Sequence, residues 1–359
     1  MIPPVGEPII PRLRGGDIAF DWSFGGRYRP VFVDSGTTAL RLAIETARSH
    51  LRADGPTWIP AYGCPDIVTA CLAAGSRPTL YDVTRDSPFF APGQAAPPGT
   101  IAVAAAHFLG LPHPSASIVE AAHAAGALVI EDSAQRFPMA DDMLFGDMVV
   151  LSFGRGKPVS LMEGGCLLVA ERLHECAVEA ASRYGRTDTG LPGGIKRRLH
   201  DLALRPGLYE IARRLPGLNV GQVRYTAVPA PQLTGPRLRQ FATRAATSYR
   251  ADTAWQEGQR RTEHWAAQHL PQLRRLGSCP GEPDRRLLRM PFLATDSAAA
   301  EAAVRRAHAL GVGAGHFYGR ALPDIDGAPG ELEGPCAHAR DFAARLVTLP
   351  VLPADGPST

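Results

Sequence analysis

The segment Ala127-Leu128-Val129-Ile130-Glu131-Asp132 is an apolar run that ends in two carboxylates, and it decides the fold class. A second apolar run, residues 148–153, leads into Gly154-Arg155-Gly156-Lys157. Runs that are apolar at every position are typical of strands buried on both faces of a parallel sheet. Further strands of this kind are predicted at 57–60, 78–82, 101–105 and 166–170. Because helical spacing of apolar residues separates these runs, the pattern predicts an α/β fold with a mostly parallel central sheet.

The length of 359 residues favours two domains. We predict a large domain over residues 1–235, which includes an irregular basic segment at 171–235 that carries Gly-Pro breaks and arginine pairs. Residues 236–270 predict one long helix that ends near Pro271. Residues 286–350 predict a smaller α+β unit, so 236–359 are assigned to the long helix and a small C-terminal domain.

The composition narrows the class of protein. A hydrophobic fraction of 45% is ordinary for a globular chain with a substantial core, and a net charge of +3 is too small to indicate a nucleic acid partner. The first residues lack the pattern of a secretory signal, and no apolar run approaches the ~20 residues of a membrane span. The eleven histidines show no metal-ligand spacing. We therefore expect a cytoplasmic protein without a membrane segment or a metal.

Lys157 is one of only two lysines among 38 basic residues, the other being Lys196. A lysine amine can lose its proton and form a Schiff base with a carbonyl group, whereas a guanidinium cannot. Asp132 lies at the predicted carboxyl end of a strand, where α/β sheets place their ligands. A carboxylate there can pair with the protonated pyridine nitrogen of pyridoxal phosphate. Together, Lys157 and Asp132 indicate a pyridoxal phosphate site.

The phosphate of such a cofactor needs backbone donors and hydroxyl groups. Ser35-Gly36-Thr37-Thr38 opens the first predicted helix, whose N-terminus offers N–H groups and a favourable dipole to an anion. The alternative interpretation of this segment is a simple helix cap. Ser152, five residues before Lys157, is a second candidate phosphate ligand, or a strand-end serine that satisfies the backbone.

These motifs resemble, in order along nearly the whole chain, those of the DegT/StrS family of sugar aminotransferases, which have fold type I. The matching segments are 35–40 (S-G-T-x-A-L), 60–62 with 75–78, 107–110 (H-x-x-G), 131–135 (E-D-x-A-[HQ]), 152–165 (S-F-x-x-x-K, then E-G-G) and 311–318 with 349–350. Six ordered matches are far more specific than any one of them.

The resemblance implies roles for individual residues. Lys157 would form the Schiff base and move the proton, Asp132 would pair with the ring nitrogen, and Gln135 would lie near the ring and its 3-hydroxyl group. The other implied cofactor ligands are Gly36, Thr37 and Ser152 at the phosphate, and Asn219, which would reach the phosphate of a partner subunit in a homodimer. Strict spacing puts Cys64 where relatives have the aromatic residue that stacks on the ring, which leaves Tyr62 as its substitute. The candidate substrate contacts are His107, His316 and Tyr318, although turn or core positions are the alternative for the histidines.

The leading hypothesis is transfer of an amino group from Glu or Gln to a keto sugar, linked to a nucleotide, in a biosynthetic pathway. One alternative is a reaction of the same cofactor on a non-sugar acceptor such as a cyclitol, or a reaction other than transamination. Another is a catalytically silent scaffold that retains the fold. Because fold alone does not fix function, donor and acceptor rest on the resemblance.

Overall fold

The computed structural model of the chain describes residues 20–139, 144–187, 202, 223–277, 285–330 and 332–352. The predicted ligand Asn219 and the basic stretch 194–215, apart from residue 202, lie outside these residues. The described strands, labelled in chain order, are β1 (Tyr28–Val33), β2 (Thr57–Pro60), β3 (Pro78–Tyr81), β4 (Val83–Thr84), β5 (Ser87–Phe90), β6 (Ala102–Ala106), β7 (Leu128–Asp132), β8 (Met148–Ser152), β9 (Gly165–Ala170), β10 (Gly185–Thr187), β11 (Gln232–Thr234), β12 (Arg274–Arg275), β13 (Met290–Leu293) and β14 (Leu346–Leu349).

Nine of these strands form one sheet in the order β10-β11-β1-β9-β8-β7-β6-β2-β3. Five adjacent strands of this sheet are mutually parallel, as predicted: β3, β2, β6, β7 and β8. The strand β9 is antiparallel to both β8 and β1. The strand β1 therefore runs in the same direction as β8. This topology confirms the predicted α/β class.

The described helices cover the sheet and build the smaller unit. They are α1 (Gly36–Leu51), α2 (Asp66–Ala73), α3 (Ser115–Ala124), α4 (His174–Ala181), α5 (Pro236–Ala251), α6 (Ala254–His269), α7 (Ser297–Ala309) and α8 (Ala337–Arg345). The buried face of α1 carries Ala39, Ala43 and Ala47, each fully shielded from solvent. Alanines spaced by four residues lie on one side of a helix, so α1 can approach the sheet closely.

The single helix predicted over 236–270 is two helices, α5 and α6. At Asp252 the backbone turns to φ −81° and ψ 126°, and its carboxylate accepts a hydrogen bond of 3.0 Å from the N–H of Ala254. A short acidic side chain competes with helical hydrogen bonding in this way, which explains the break. The apolar periodicity on both sides does not reveal it.

The strand β1 was not predicted, because Pro30 interrupts its run. Pro30 has no N–H to donate, yet β1 pairs with β9 along its whole length and with β11 only at Val33. The side of β1 that faces β11 is therefore open around Pro30, where proline is tolerated.

The smaller unit contains the antiparallel sheet β12-β13-β14, packed with α7 and α8. It is tied to the large sheet by Asp82, whose carboxylate accepts hydrogen bonds of 2.9 Å from the N–H groups of His338 and Ala339. These are donors at the start of α8, which helices leave without an internal acceptor. The proposed division at residue 235 stays a prediction.

Candidate active site

Four strands, β1, β6, β7 and β8, end at the same edge of the large sheet. They bring together Asp34, His107, Asp132 and Ser152, which end these strands or directly follow them. A cavity of about 380 Å³ lies at this edge, within the range of small-molecule sites. The predicted residues that line it are Gly36, Thr37, Tyr62, His107, Asp132, Gln135, Ser152, Lys157 and Tyr318.

Lys157 lies in the loop between β8 and β9, and this loop is closed by its own backbone. The N–H of Leu161 donates to the carbonyl of Phe153 at 2.7 Å, and the N–H of Phe153 donates to Gly164 at 2.9 Å. Phe153 and Leu161 are buried, so they anchor both ends of the loop in the core. The loop thereby holds Lys157 at the cavity that Asp132 also lines.

Asp132 is the last residue of β7 and is only 8% exposed. Its carboxylate accepts a hydrogen bond of 3.0 Å from the N–H of Ala134. Burial raises the pKa of this carboxyl, while the Ala134 N–H and the positive charge of Lys157 partly oppose the shift. A cation placed against Asp132 would stabilise the carboxylate and oppose this rise in pKa, and a protonated ring nitrogen is such a cation.

The N-terminus of α1 packs tightly against β8 and β9. Ser35 caps the helix, since its hydroxyl accepts a hydrogen bond from the N–H of Thr38. A Cβ atom on Gly36 would lie 2.7 Å from the Cβ of Ser152, and one on Gly165 would lie 2.5 Å from the carbonyl oxygen of Ser35. Both glycines are therefore required for the close approach that places Ser152 beside the first turn of the helix.

The hydroxyl of Thr37 donates to the carboxylate of Asp66 at 3.0 Å. Its proton is thus committed within the protein. Because the Thr38 N–H already donates to the Ser35 hydroxyl, the N–H groups of Gly36 and Thr37 are the first-turn donors for an anion, together with the hydroxyl of Ser152.

Gln135 and Tyr318 meet across the two units of the fold. The amide oxygen of Gln135 accepts from the N–H of Leu109 at 2.9 Å, and its amide nitrogen donates to the Tyr318 hydroxyl. Tyr62 lines the cavity, but its hydroxyl donates to the carbonyl of Phe317 and its ring packs against Phe108, Tyr318 and Phe342.

His107 and Glu131 form a buried pair beside Asp132. The Nδ1 atom of His107 accepts from the N–H of His113 at 2.8 Å, so its Nε2 carries the hydrogen and donates to Glu131 at 2.8 Å. Burial lowers the pKa of His107, which is therefore neutral. Burial alone would raise the pKa of Glu131, but the hydrogen bonds from His107, Phe145 and Gly146 lower it overall.

His316 does not lie with the other candidates. It is absent from the lining of the cavity, and its Nδ1 atom pairs with the carbonyl of Leu346 at 2.9 Å. Three carboxylates line the cavity that the sequence did not single out, Asp34, Asp66 and Glu163. Asp34 directly precedes the motif at 35–40, Glu163 is the first residue of the E-G-G motif, and Asp66 lies four residues after the segment 60–62.

The residues present fit pyridoxal phosphate. The cavity offers an amine, a buried carboxylate for the ring nitrogen, and a helix N-terminus beside a serine hydroxyl for the phosphate. Among the described residues, no group of three or more His, Cys, Asp or Glu side chains is placed to hold a metal ion. Over the same residues, every helix is too short or too polar to cross a bilayer.

The fold and these side chains define a fold-type I enzyme that depends on pyridoxal phosphate. The sequence model of the DegT/DnrJ/EryC1/StrS aminotransferase family matches residues 23–203, about half of the chain. The chain therefore belongs to this family and is a pyridoxal phosphate-dependent aminotransferase. No curated protein matches it in sequence.

Solved structures share its fold at low identity. NtdA from Bacillus subtilis, with bound pyridoxamine phosphate, has a TM-score of 0.65 at 16% identity, and the match covers 92% of this chain and 70% of the NtdA chain. DesI, solved with its TDP-sugar product, has a TM-score of 0.62 at 17% identity over 93% and 78%. The 3-amino-5-hydroxybenzoic acid synthase has a TM-score of 0.59 at 16% identity over 91% and 82%.

Proposed function

We propose that this aminotransferase moves an amino group from Glu or Gln to a keto group of a nucleotide-linked sugar, with Lys157 and Asp132 as its catalytic residues. The observation that carries the assignment of the two residues is their place on one cavity of about 380 Å³ at the carboxyl edge of the sheet. The loop that holds Lys157 and the strand that ends at Asp132 come from neighbouring parts of the same sheet.

When bound, the cofactor would supply an electron sink for the negative charge that develops on the amino-bearing carbon once its proton is removed. Lys157 anchors it and holds or moves the proton at its Nζ atom. Asp132 keeps the ring nitrogen protonated, and its burial strengthens that interaction because little water screens it. The first turn of α1 and the Ser152 hydroxyl hold the phosphate, while Thr37 contributes through its backbone.

The sugar acceptor is supported by DesI, whose structure contains a TDP-sugar, and by the family itself. The synthase of 3-amino-5-hydroxybenzoic acid supports the alternative, a non-sugar acceptor, on the same fold. The basic pairs Arg197-Arg198 and Arg213-Arg214 are candidates for a diphosphate, and Asn219 for the phosphate of a partner's cofactor. We also propose that the protein is a homodimer and that it is cytoplasmic.

The experiment has two stages. The protein loaded with pyridoxal phosphate is mixed with Glu or Gln, and absorption spectra follow its conversion to the pyridoxamine form. The converted protein is then given TDP-linked keto sugars, free keto sugars and keto cyclitols, and amine products are detected by mass spectrometry. We expect conversion with Glu or Gln and product from a nucleotide-linked sugar. Product from a cyclitol alone would refute the acceptor, and no conversion with any amino acid would refute transamination and favour another reaction of the same cofactor.

A further inference from the structure

Tyr318 reaches the cavity from the smaller unit of the fold, 183 residues along the chain from its hydrogen-bond partner Gln135. Its backbone is in the left-handed region, with φ 59°, which a bulky residue rarely adopts. Strain of this kind persists where surrounding contacts determine the conformation, and it is common at functional sites. The conformation of Tyr318 therefore calls for an account of what its side chain does.

The Tyr318 hydroxyl fixes the amide of Gln135. Because the amide oxygen accepts from Leu109 N–H, the amide nitrogen must face Tyr318, to which it donates one hydrogen. An amide nitrogen carries two hydrogens, so one remains for another acceptor. Cys64 also lines the cavity. The two hydrogen bonds to Leu109 and Tyr318 thus set where the remaining N–H of Gln135 points.

We propose that Tyr318 is a positioning residue that acts through Gln135, directing its second amide N–H at the ring oxygen of pyridoxal phosphate. This inference rests on the proposed cofactor site. If Tyr318 acts in this way, the position of the loop 316–319 relative to the large sheet influences the charge on the cofactor. Tyr318 then contributes to the reaction through the cofactor.

The readout is the visible absorption of the bound cofactor as a function of pH. A hydrogen bond to the ring oxygen stabilises its negative charge, which favours loss of the proton shared with the Lys157 nitrogen. Loss of that hydrogen bond raises the midpoint of the titration. Asp132, Asp66 and Cys64 also face this space, and all three keep their side chains in the variants below.

Neither the Tyr318 hydroxyl nor the Cys64 thiol titrates near neutral pH. Burial raises the pKa of the Tyr318 hydroxyl well above its ordinary value, and burial raises the pKa of the Cys64 thiol to about 12. A shift of the midpoint in a Tyr318 variant therefore reports the cofactor rather than the removed hydroxyl.

The test compares Tyr318→Phe with Tyr225→Phe. The hydroxyl of Tyr225 donates to the Leu322 carbonyl at 2.8 Å, so the control removes a tyrosine hydrogen bond at Leu322, four residues after Tyr318, without touching Gln135. We expect Tyr318→Phe to raise the midpoint by about one pH unit, the effect of weakening one hydrogen bond to a charged group. We expect no shift in Tyr225→Phe.

A double-mutant cycle asks whether Tyr318 acts through Gln135. Gln135→Ala alone is expected to raise the midpoint, and adding Tyr318→Phe to it should cause no further rise. An equal rise in both backgrounds, or equal shifts in Tyr318→Phe and Tyr225→Phe, would overturn the inference while leaving the cofactor assignment intact. If Tyr318→Phe does not fold, an unshifted Gln135→Ala overturns it. Failure of the wild-type protein to bind the cofactor would instead refute the proposed function.

Discussion

Replacement of Asp132 by Asn should change activity and stability in opposite directions. The side chains have the same shape, and an Asn oxygen can still accept the hydrogen bond from the Ala134 N–H. The substitution therefore removes the charge with little change of packing. In the protein with its cofactor, it leaves the ring nitrogen without a buried anion.

The magnitude follows from the burial of Asp132, which is 8% exposed. Removing one partner of a buried charge pair costs about 3–5 kcal/mol. At 1.36 kcal/mol per tenfold change in rate, kcat/KM should fall by about two to four powers of ten. The free protein behaves differently, because burial raises the pKa of Asp132 in the folded state. The stability of the wild type then falls as the pH rises through that pKa, so the Asn variant should be the more stable protein at neutral pH.

Two measurements check this prediction. Steady-state amino transfer gives kcat/KM, and urea unfolding of the cofactor-free proteins at neutral and acid pH gives their stabilities. The gain in stability of the Asn variant should disappear in acid, where Asp132 is protonated in the wild type. Activity within tenfold of the wild type, or a variant less stable than wild type at neutral pH, would refute the reasoning.

Two other substitutions test the framework of the site. Gly36→Ala would place a Cβ atom 2.7 Å from that of Ser152, so the helix α1 and the strand β8 must separate. The Kd for pyridoxal phosphate should then rise at least about tenfold. Equilibrium binding followed by absorption measures this Kd, and an unchanged Kd would contradict the packing argument. Glu131→Gln should lower the free energy of unfolding by about 2–4 kcal/mol, because one hydrogen-bond donor then loses its acceptor. Because the pKa of Glu131 is lowered in the folded protein, the wild type should lose the free energy contributed by Glu131 as the pH falls below the ordinary glutamate pKa. The Gln variant should show no such loss, and an equal loss of stability in both proteins would contradict the prediction.

The elements predicted best were strands buried on both faces, because a continuous apolar run is a local signal. Residues 148–152 and 128–132 form strands within one residue of the predicted bounds. The break at Asp252 was missed because the helical periodicity of α5 and α6 continues across it. The sequences of β10 and β11 show only a weak strand pattern. The two segments form strands because each offers the other backbone hydrogen-bonding groups.

The meeting of Asp132 and Lys157 at one cavity was predictable from topology, since parallel strands deliver their carboxyl ends to one edge. The pairing of Gln135 with Tyr318 was not, because it depends on how the smaller unit seats against the sheet. The hydrogen bond from the Thr37 hydroxyl to Asp66 could not be predicted from the sequence either, since the two residues belong to different helices. Local motifs thus predicted Asp132 and Lys157 as the candidate cofactor pair, whereas contacts between distant segments required the structure.

The attachment of the cofactor to Lys157 is the central claim, and the chain supplies its own control because Lys196 is its only other lysine. The protein loaded with pyridoxal phosphate is reduced with borohydride, digested and mapped by mass spectrometry. We predict that the phosphopyridoxyl group is found on Lys157 and not on Lys196, and that Lys157→Arg abolishes the visible absorption band. A modified Lys196 with an unmodified Lys157, or no modified lysine, would contradict the account.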